Sequence, residues 1–421
     1  MSRRHAWALV VAASALPRVA VLLHERGGIL ANMEKSDALA RVFLDSGTFG
    51  YVPGEPSANT QPLYGWFLVA VYWILDRRWW SVGFVQAAVA VATALLVYEI
   101  GRRRLSARAG LLAALAATLQ PYLVWHDVHG NREILDQLLA AGMFALALGA
   151  RSAAGGAALG AVSGLAILSN SRLALLPLVL AAYLAWRGAG AAAALAVPAL
   201  AAVVLAPWVV RNDVQVGCLA ITTDARALWK ANNLGTYDTL RGGGWIDDVP
   251  DIPQRRPHPR PGPWYTPQEA GVYYANTGRK VRLDECAQEA HYEHLVWRFW
   301  REHPGAKAKL AAQATWMLWS PRVEREGGPS AGVDPARRIV EPIWAIGVYV
   351  LAAAGLAAVP SSLRVLGLAF LAYETLAAWV FAGTTRYRVP FDFVLALLAA
   401  AAVDRALAGR PPFRRPRSQK R

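Results

Sequence analysis

The sequence predicts an all-α polytopic membrane protein: a bundle of about ten transmembrane helices with re-entrant or interfacial helices and a small extracytoplasmic α/mixed domain. Three observations carry that prediction. Of 421 residues, 55% are hydrophobic and only 17% are charged, against about 25% charged in soluble domains. Several apolar runs reach the roughly 17–25 residues that a helix needs to cross a bilayer. The basic residues, which bring the net charge to +15, cluster beside those runs: Arg3 and Arg4, then Arg102 to Arg104 with Arg108, then Arg410 to Arg421. That is positive-inside patterning with no nucleic-acid-binding motif beside it, so charge sets topology and nucleic acid is not expected as a partner.

Taken in order, the first span follows Arg3 and Arg4 and continues to Leu23, with Arg18 in its outer half. Ala13-Ser14-Ala15 resembles a signal-peptide cleavage site, but the length of the apolar run favours an uncleaved span. The loop over 24–66 is the most polar part of the first half. In it Glu34, Asp37 and Arg41 are spaced to line one side of a short helix, with Leu39, Val42 and Phe43 on the other. "PLYGWFLVAVYWIL" then reads as a re-entrant or interfacial segment, too short to cross. Further spans are expected over 79–100, 110–125, 133–150, 154–169, 173–186 and 189–210.

These make residues 1–210 an N-terminal transmembrane module. Residues 211–340 hold Gly/Pro-rich turns, an amphipathic helix over 284–303 and a second interfacial stretch over 306–320, and read as an extracytoplasmic domain resting on the membrane. Three spans over 342–359, 363–382 and 389–407 make a C-terminal module, 341–407, and a basic cytoplasmic tail occupies 408–421. Both termini are then cytoplasmic. The two cysteines, Cys218 and Cys286, lack metal-type spacing and lie on the oxidising side, where a disulfide can join them.

Polar groups that could carry chemistry gather at the outer ends of the spans. Glu34 and Asp37 form one set, and His126, Asp127, His129, Arg132 and Glu133 a second. Arg211, Asn212 and Asp213 form a third; Arg386, Tyr387 and Arg388 form the fourth. His126, Asp127 and His129 are candidate ligands for a divalent cation, although short polar loops also arise for solvation alone. Glu133 opens a helix, where an acid suits the macrodipole whether or not it binds anything. Arg386 and Arg388 suit a phosphate as fixed cations, or simple snorkelling at the interface.

Several of these segments resemble a known family. "PSANTQPLYGWFL" is similar to the Pro-Pro-Leu-Tyr-Pro segment in the first outer loop of C-type membrane glycosyltransferases, in the branch of bacterial relatives of dolichyl-phosphate-mannose protein mannosyltransferases and lipid A sugar transferases. "VHGNREILDQLL", "APWVVRN" and "LWKANN" resemble that family's later segments, as do "REHPGAKAKLAAQATWMLWSP" and "TTRYRVPFD", all in the family's order. The sequence departs from the pattern at Gln61, where a proline is common, and around Lys230.

The resemblance implies a bundle of the C-type glycosyltransferase kind and transfer of a sugar, with inversion, from a polyprenyl-phosphate donor to a lipid, glycan or protein acceptor outside the cytoplasm. It implies a catalytic acid in the first outer loop, Asp37 or Glu34, and leaves both open. Arg211, Arg386, Arg388 and Tyr387 are then expected at the donor phosphate, and Asp127, Glu133, Lys230 and Asn232 around the substrates. The leaving group needs neutralising cations more than a strong acid, so no cofactor is required, with a divalent cation as the alternative. No Gly-rich phosphate loop points to a nucleotide sugar. The rival readings are a transporter or lipid flippase, against which no internal repeat is seen, and an envelope scaffold.

Overall fold

A computed structural model describes residues 2–31, 33–250, 265–322 and 335–409. Most of the expected basic tail, and residues 251–264 and 323–334 of the expected extracytoplasmic domain, lie outside the described residues. Among the described residues the regular structure is helical, and the only extended pairing is an isolated bridge between Val52 and Glu55. The α/mixed domain expected over 211–340 is helical where described.

The first helix, α1 (Arg3–His24), is capped by Ser2, whose hydroxyl accepts from the His5 N–H. Its mid-span charge, Arg18, is 1% exposed. It survives there because Asp127 meets it, with Nε and Nη2 at 2.9 and 2.7 Å from Oδ2, the pairing that an ionised side chain inside a bundle requires. Next come α2 (Lys35–Ser46), which ends on Gly47 in the left-handed region at φ 71°, and α3 (Pro62–Leu75). Pro62 fits the first turn of α3 because no N–H is needed there.

α4 (Ser81–Arg104) ends in the expected Arg102 to Arg104 cluster. The span expected over 110–125 is broken into α5 (Ala107–Thr118) and α6 (Pro121–His126). Pro121 lacks the N–H that would continue the ladder. α7 (Glu133–Gly149) and α8 (Ala153–Ser169) pack as a hairpin, and α9 (Leu176–Trp186) has only 11 residues. The stretch 173–186 is therefore too short to cross alone. α10 (Ala191–Val216) runs 26 residues. α8 and α10 approach closely along Gly156, Gly160 and Gly164. A Cβ at these positions would fall 2.0 Å from the Ala193 carbonyl oxygen, 2.4 Å from that of Val197 and 2.6 Å from Val204 Cβ. This is small-xxx-small packing.

Five short or amphipathic helices then form a cap: α11 (Ala225–Lys230), α12 (Thr236–Arg241), α13 (Pro267–Thr277), α14 (Glu285–Glu302) and α15 (Pro304–Trp319). α11 packs on α14, and a Cys218–Cys286 disulfide fastens the end of α10 to the start of α14. The chain returns through α16 (Arg337–Gly355), α17 (Ser361–Val380), α18 (Thr385–Arg388) and α19 (Asp392–Leu407).

From Asp392 to Ala401 every residue of α19 is buried, against α16 and α5. Phe144, Phe370, Phe391 and Phe393 meet edge to face in the surrounding core. Among the described residues α1, α4, α10, α16 and α17 are long and apolar enough to cross a membrane, and shorter apolar helices complete the bundle. The chain is a multi-pass membrane protein.

Candidate functional site

Where the cap meets the bundle lies a cavity of about 1050 Å³. Its walls are the start of α2, the loop before α3, α11, the start of α13 and the α18 turn. Glu34 enters it as the residue before α2, with an extended backbone (φ −64°, ψ 165°) and no capping bond from its side chain. Its carboxylate contacts the Arg386 guanidinium. Arg386 also grips Glu133 from above, with Nε 2.6 Å and Nη2 3.1 Å from the two carboxylate oxygens. Glu133 is 1% exposed, at the floor, with His126 Nε2 at 3.5 Å and Arg132 Nε at 3.8 Å.

More charge lines the walls. Arg132 Nη1 donates to Gln61 Oε1 at 2.7 Å, and Lys230 Nζ donates to the Asp247 carbonyl at 2.8 Å. Lys35 pairs with Asp224 at 3.1 Å, and Arg226 with Glu269 at 3.0 Å. Burial opposes the Lys35 charge, but Asp224 and Tyr51 carry its pKa above the usual value. Burial likewise opposes Arg132, and Glu133 and Asp136 overcome it. The Asp247 carboxyl is pushed up by burial, with Lys230 pulling against the shift. Tyr387 presents its ring to the Arg172 guanidinium at 3.9 Å. The cavity thus gathers arginine and lysine side chains and carboxylates around one polar space.

Glu34, Arg386, Tyr387 and Lys230, expected from sequence, line this cavity, and Glu133 lies beneath it. The others are elsewhere. Asp37 is buried on the far side of α2, where it accepts from Tyr72 at 2.6 Å, Arg77 at 2.7 and 3.0 Å and Arg41 at 3.1 Å. Arg388 is 2% exposed, ion-paired to Asp392 at 3.0 Å and donating to the Leu318 carbonyl. Asn232 is buried as a bracket: it donates to the Leu228 and Val380 carbonyls and accepts from Trp300 and Lys307. Arg211 lies in a separate cleft, donating to the Ser57 and Phe49 carbonyls.

The three candidate cation ligands serve separate partners. Asp127 belongs to Arg18 and Gln137, and His129 joins Glu25 at 2.7 Å. His126 faces Glu133. Among the described residues no three His, Cys, Asp or Glu side chains group as metal ligands. Sequence reasoning missed Lys35, Asp224, Asp247 and Arg226. Lys35 adjoins Glu34, and Asp224 and Arg226 shortly precede "LWKANN", whereas Asp247 lies 14 residues beyond it and carried no signal in the sequence.

The described chain is a helical membrane bundle with a polar, charge-lined cavity beneath a helical cap, and it is similar to known proteins in part of its sequence and in its fold. Residues 56–211 match the model of the family described as dolichyl-phosphate-mannose-protein mannosyltransferase. No curated protein sequence matches the chain.

Among solved structures it is similar to the archaeal oligosaccharyltransferase AglB from Archaeoglobus fulgidus, solved with an inhibitory peptide and a dolichol-phosphate. That match has a TM-score of 0.51 and 13% identity, covering 97% of this chain and 52% of that one. ArnT from Cupriavidus metallidurans, bound to undecaprenyl phosphate, matches at TM-score 0.41 and 14% identity over 94% of this chain and 78% of that one. This chain spans about half the length of the archaeal protein. The fold is that of the C-type membrane glycosyltransferases.

Proposed function

We propose that the protein transfers a sugar from a polyprenyl-phosphate-linked donor to an acceptor hydroxyl, with inversion, in the cavity under the cap. The observation that carries this reading is the gathering of Glu34 with Arg386, Arg132 and Lys230 around one cavity. The mannosyltransferase-like pattern over 56–211 and the C-type fold support it, and an archaeal protein of that fold has been solved with dolichol-phosphate.

In the proposed step the bond from the sugar's C1 to the donor phosphate oxygen breaks, and that oxygen keeps the electron pair. The acceptor oxygen forms the new bond to C1 from the opposite face, which inverts the centre. Arg386, Arg132 and Lys230 neutralise the departing polyprenyl phosphate, as preorganised cations aimed at developing charge do. Glu34 takes the acceptor's proton. It reaches the cavity, whereas Asp37 is committed to Arg77, Arg41 and Tyr72. Glu133 holds Arg386 in position from below. The cations supply the countercharge, so we assign the step no resident metal ion.

The cap end is assigned to the outside of the cell membrane. The Cys218–Cys286 disulfide suits an oxidising compartment, and Arg102 to Arg104 end α4 as a cytoplasmic cluster would. The test is transfer by the purified protein from a panel of polyprenyl-phosphate sugars, with and without EDTA. Product from at least one donor, undiminished by EDTA, is expected. Donor binding without transfer would overturn the enzyme reading, and loss in EDTA would restore a metal to the site.

A further inference from the structure

We propose that the cleft holding Arg211 is a binding site for one anionic phospholipid of the bilayer, distinct from the transfer cavity. The cleft encloses about 390 Å³ between α2, α3 and α10. Its wall is aromatic: Trp66 packs on Phe43 at 4.7 Å and stacks on Phe49 at 4.8 Å, and Phe49 meets Trp208 edge to face at 5.4 Å. Trp66 is 40% exposed, so the wall opens to the bilayer side.

Along α10 the lining residues are Val204, Pro207, Trp208, Arg211 and Gln215, a spacing that keeps them on one helical face. Their order is apolar, then aromatic, then cationic, then amide. Val204 and Arg211 are roughly 10 Å apart along the axis. Arg211 lies near the cap end of a 26-residue helix, roughly 30 Å from its start and so at the far edge of a hydrocarbon core. A chain along Val204 with a headgroup at Arg211 follows the direction of a lipid in the bilayer.

Charge identifies the headgroup. Arg211 donates to neutral oxygens, the Ser57 and Phe49 carbonyls and Asn212 Oδ1, and among the described residues no carboxylate forms an ion pair with it, Glu285 acting on its charge from farther away. Three of its five N–H groups are used, so two remain for a phosphate. Trp208 lies against the guanidinium at 4.8 Å. Basic pockets at a membrane boundary take anionic headgroups. The strand of chain that Arg211 ties down, Phe49 to Ser57, runs into Asn59, Thr60 and Gln61 of the transfer cavity, so an occupied cleft would steady one wall of that cavity. The proposal does not rest on the transfer reading.

The test is native mass spectrometry of the protein released from nanodiscs of equal phosphatidylglycerol and phosphatidylcholine. One phosphatidylglycerol retained in preference to phosphatidylcholine is expected. Retention should drop about fivefold or more in Arg211→Gln and in Gln215→Glu. The second variant places a carboxylate beside the guanidinium at an exposed position and leaves the Ser57 and Phe49 bonds in place, so it remains informative if Arg211→Gln misfolds. Added undecaprenyl phosphate should not displace the lipid. Equal retention of both phospholipids, or unchanged retention in Gln215→Glu, overturns the proposal. Displacement by undecaprenyl phosphate overturns it too, and gives the cleft to that lipid.

Discussion

Arg386 and Glu133, 253 residues apart in sequence, are joined by a two-pronged ion pair at 2.6 and 3.1 Å. The pair ties the α18 turn to the first turn of α7 and so fixes the cavity floor. Arg386 keeps Glu34 as a partner when Glu133 is removed, so the cost should fall below that of a buried charge left wholly uncompensated, about 3–5 kcal/mol. Glu133→Ala is therefore expected to lower the melting temperature in detergent and to reduce transfer. Arg386→Lys keeps the charge and loses the fork, so it should melt closer to wild type and still transfer poorly. Paired melting and transfer assays check this; wild-type transfer in Arg386→Lys would remove the guanidinium from the proposed step.

Glu34 and Asp37 should part company in the same assays. Glu34→Gln is expected to cost transfer about 10²- to 10⁴-fold with little change in melting. Asp37→Asn weakens contacts to Tyr72, Arg77 and Arg41, so its main effect should be on stability, with measurable turnover remaining in whatever folds. The reverse pattern would make Asp37 the base.

Why the sequence left these two acids open is physical. A spacing of three puts two residues on one helical face only if both are helical. Glu34 instead precedes α2 with an extended backbone, so the two carboxylates diverge, one into the cavity and one under the helix. Arg386 and Arg388 fail as a pair for the related reason that residues two apart on a helix point to opposite sides. One reaches the cavity and the other Asp392.

Spans were legible because apolar length is a property of composition, and so was the membrane class. The breaks at Pro121 and before α9 were less so, since tertiary packing lets half-length helices complete a bundle. Asp224 and Asp247 join the site by folding of the cap over the bundle, which no local spacing encodes.

Glu289 gives a pH dependence outside the membrane. Its carboxylate accepts from the Ala225 N–H at 2.7 Å where α11 meets α14, and burial pushes its pKa up to about 8 from 4.5. Between those values the folded cap holds a proton that the unfolded chain releases. Stability is thus fullest below 4.5 and falls as pH rises toward 8. Glu289→Gln should flatten that slope in melting curves taken from about pH 5 to about pH 9. An equal slope in both proteins would locate the dependence elsewhere.

The Cys218–Cys286 bridge closes a loop with a sequence separation of 68. Chain entropy gives such a bridge about 2–4 kcal/mol. Reduction, or Cys286→Ser, should lower the melting temperature and increase proteolysis of the cap before that of the bundle. Equal protease resistance with and without reductant would show that packing alone holds α14 in place.

The α8–α10 contact makes the sharpest packing prediction. Membrane helices gain little from burying apolar surface, since lipid is as apolar as leucine, so close backbone approach through small residues drives their pairing. At Gly160 an added Cβ would meet the Val197 carbonyl oxygen at 2.4 Å, a backbone atom that no rotamer change can move aside. Gly160→Leu should therefore separate α8 from α10 and lower the yield of monodisperse protein and its melting temperature, with transfer falling in proportion to folded protein. Gly347 is the control: a Cβ there meets nothing within 4 Å, so Gly347→Ala should match wild type or melt slightly higher. If both variants behave alike, the small-residue stripe does not hold the pair, and the shape of the bundle must come from α19 and the buried ion pairs instead.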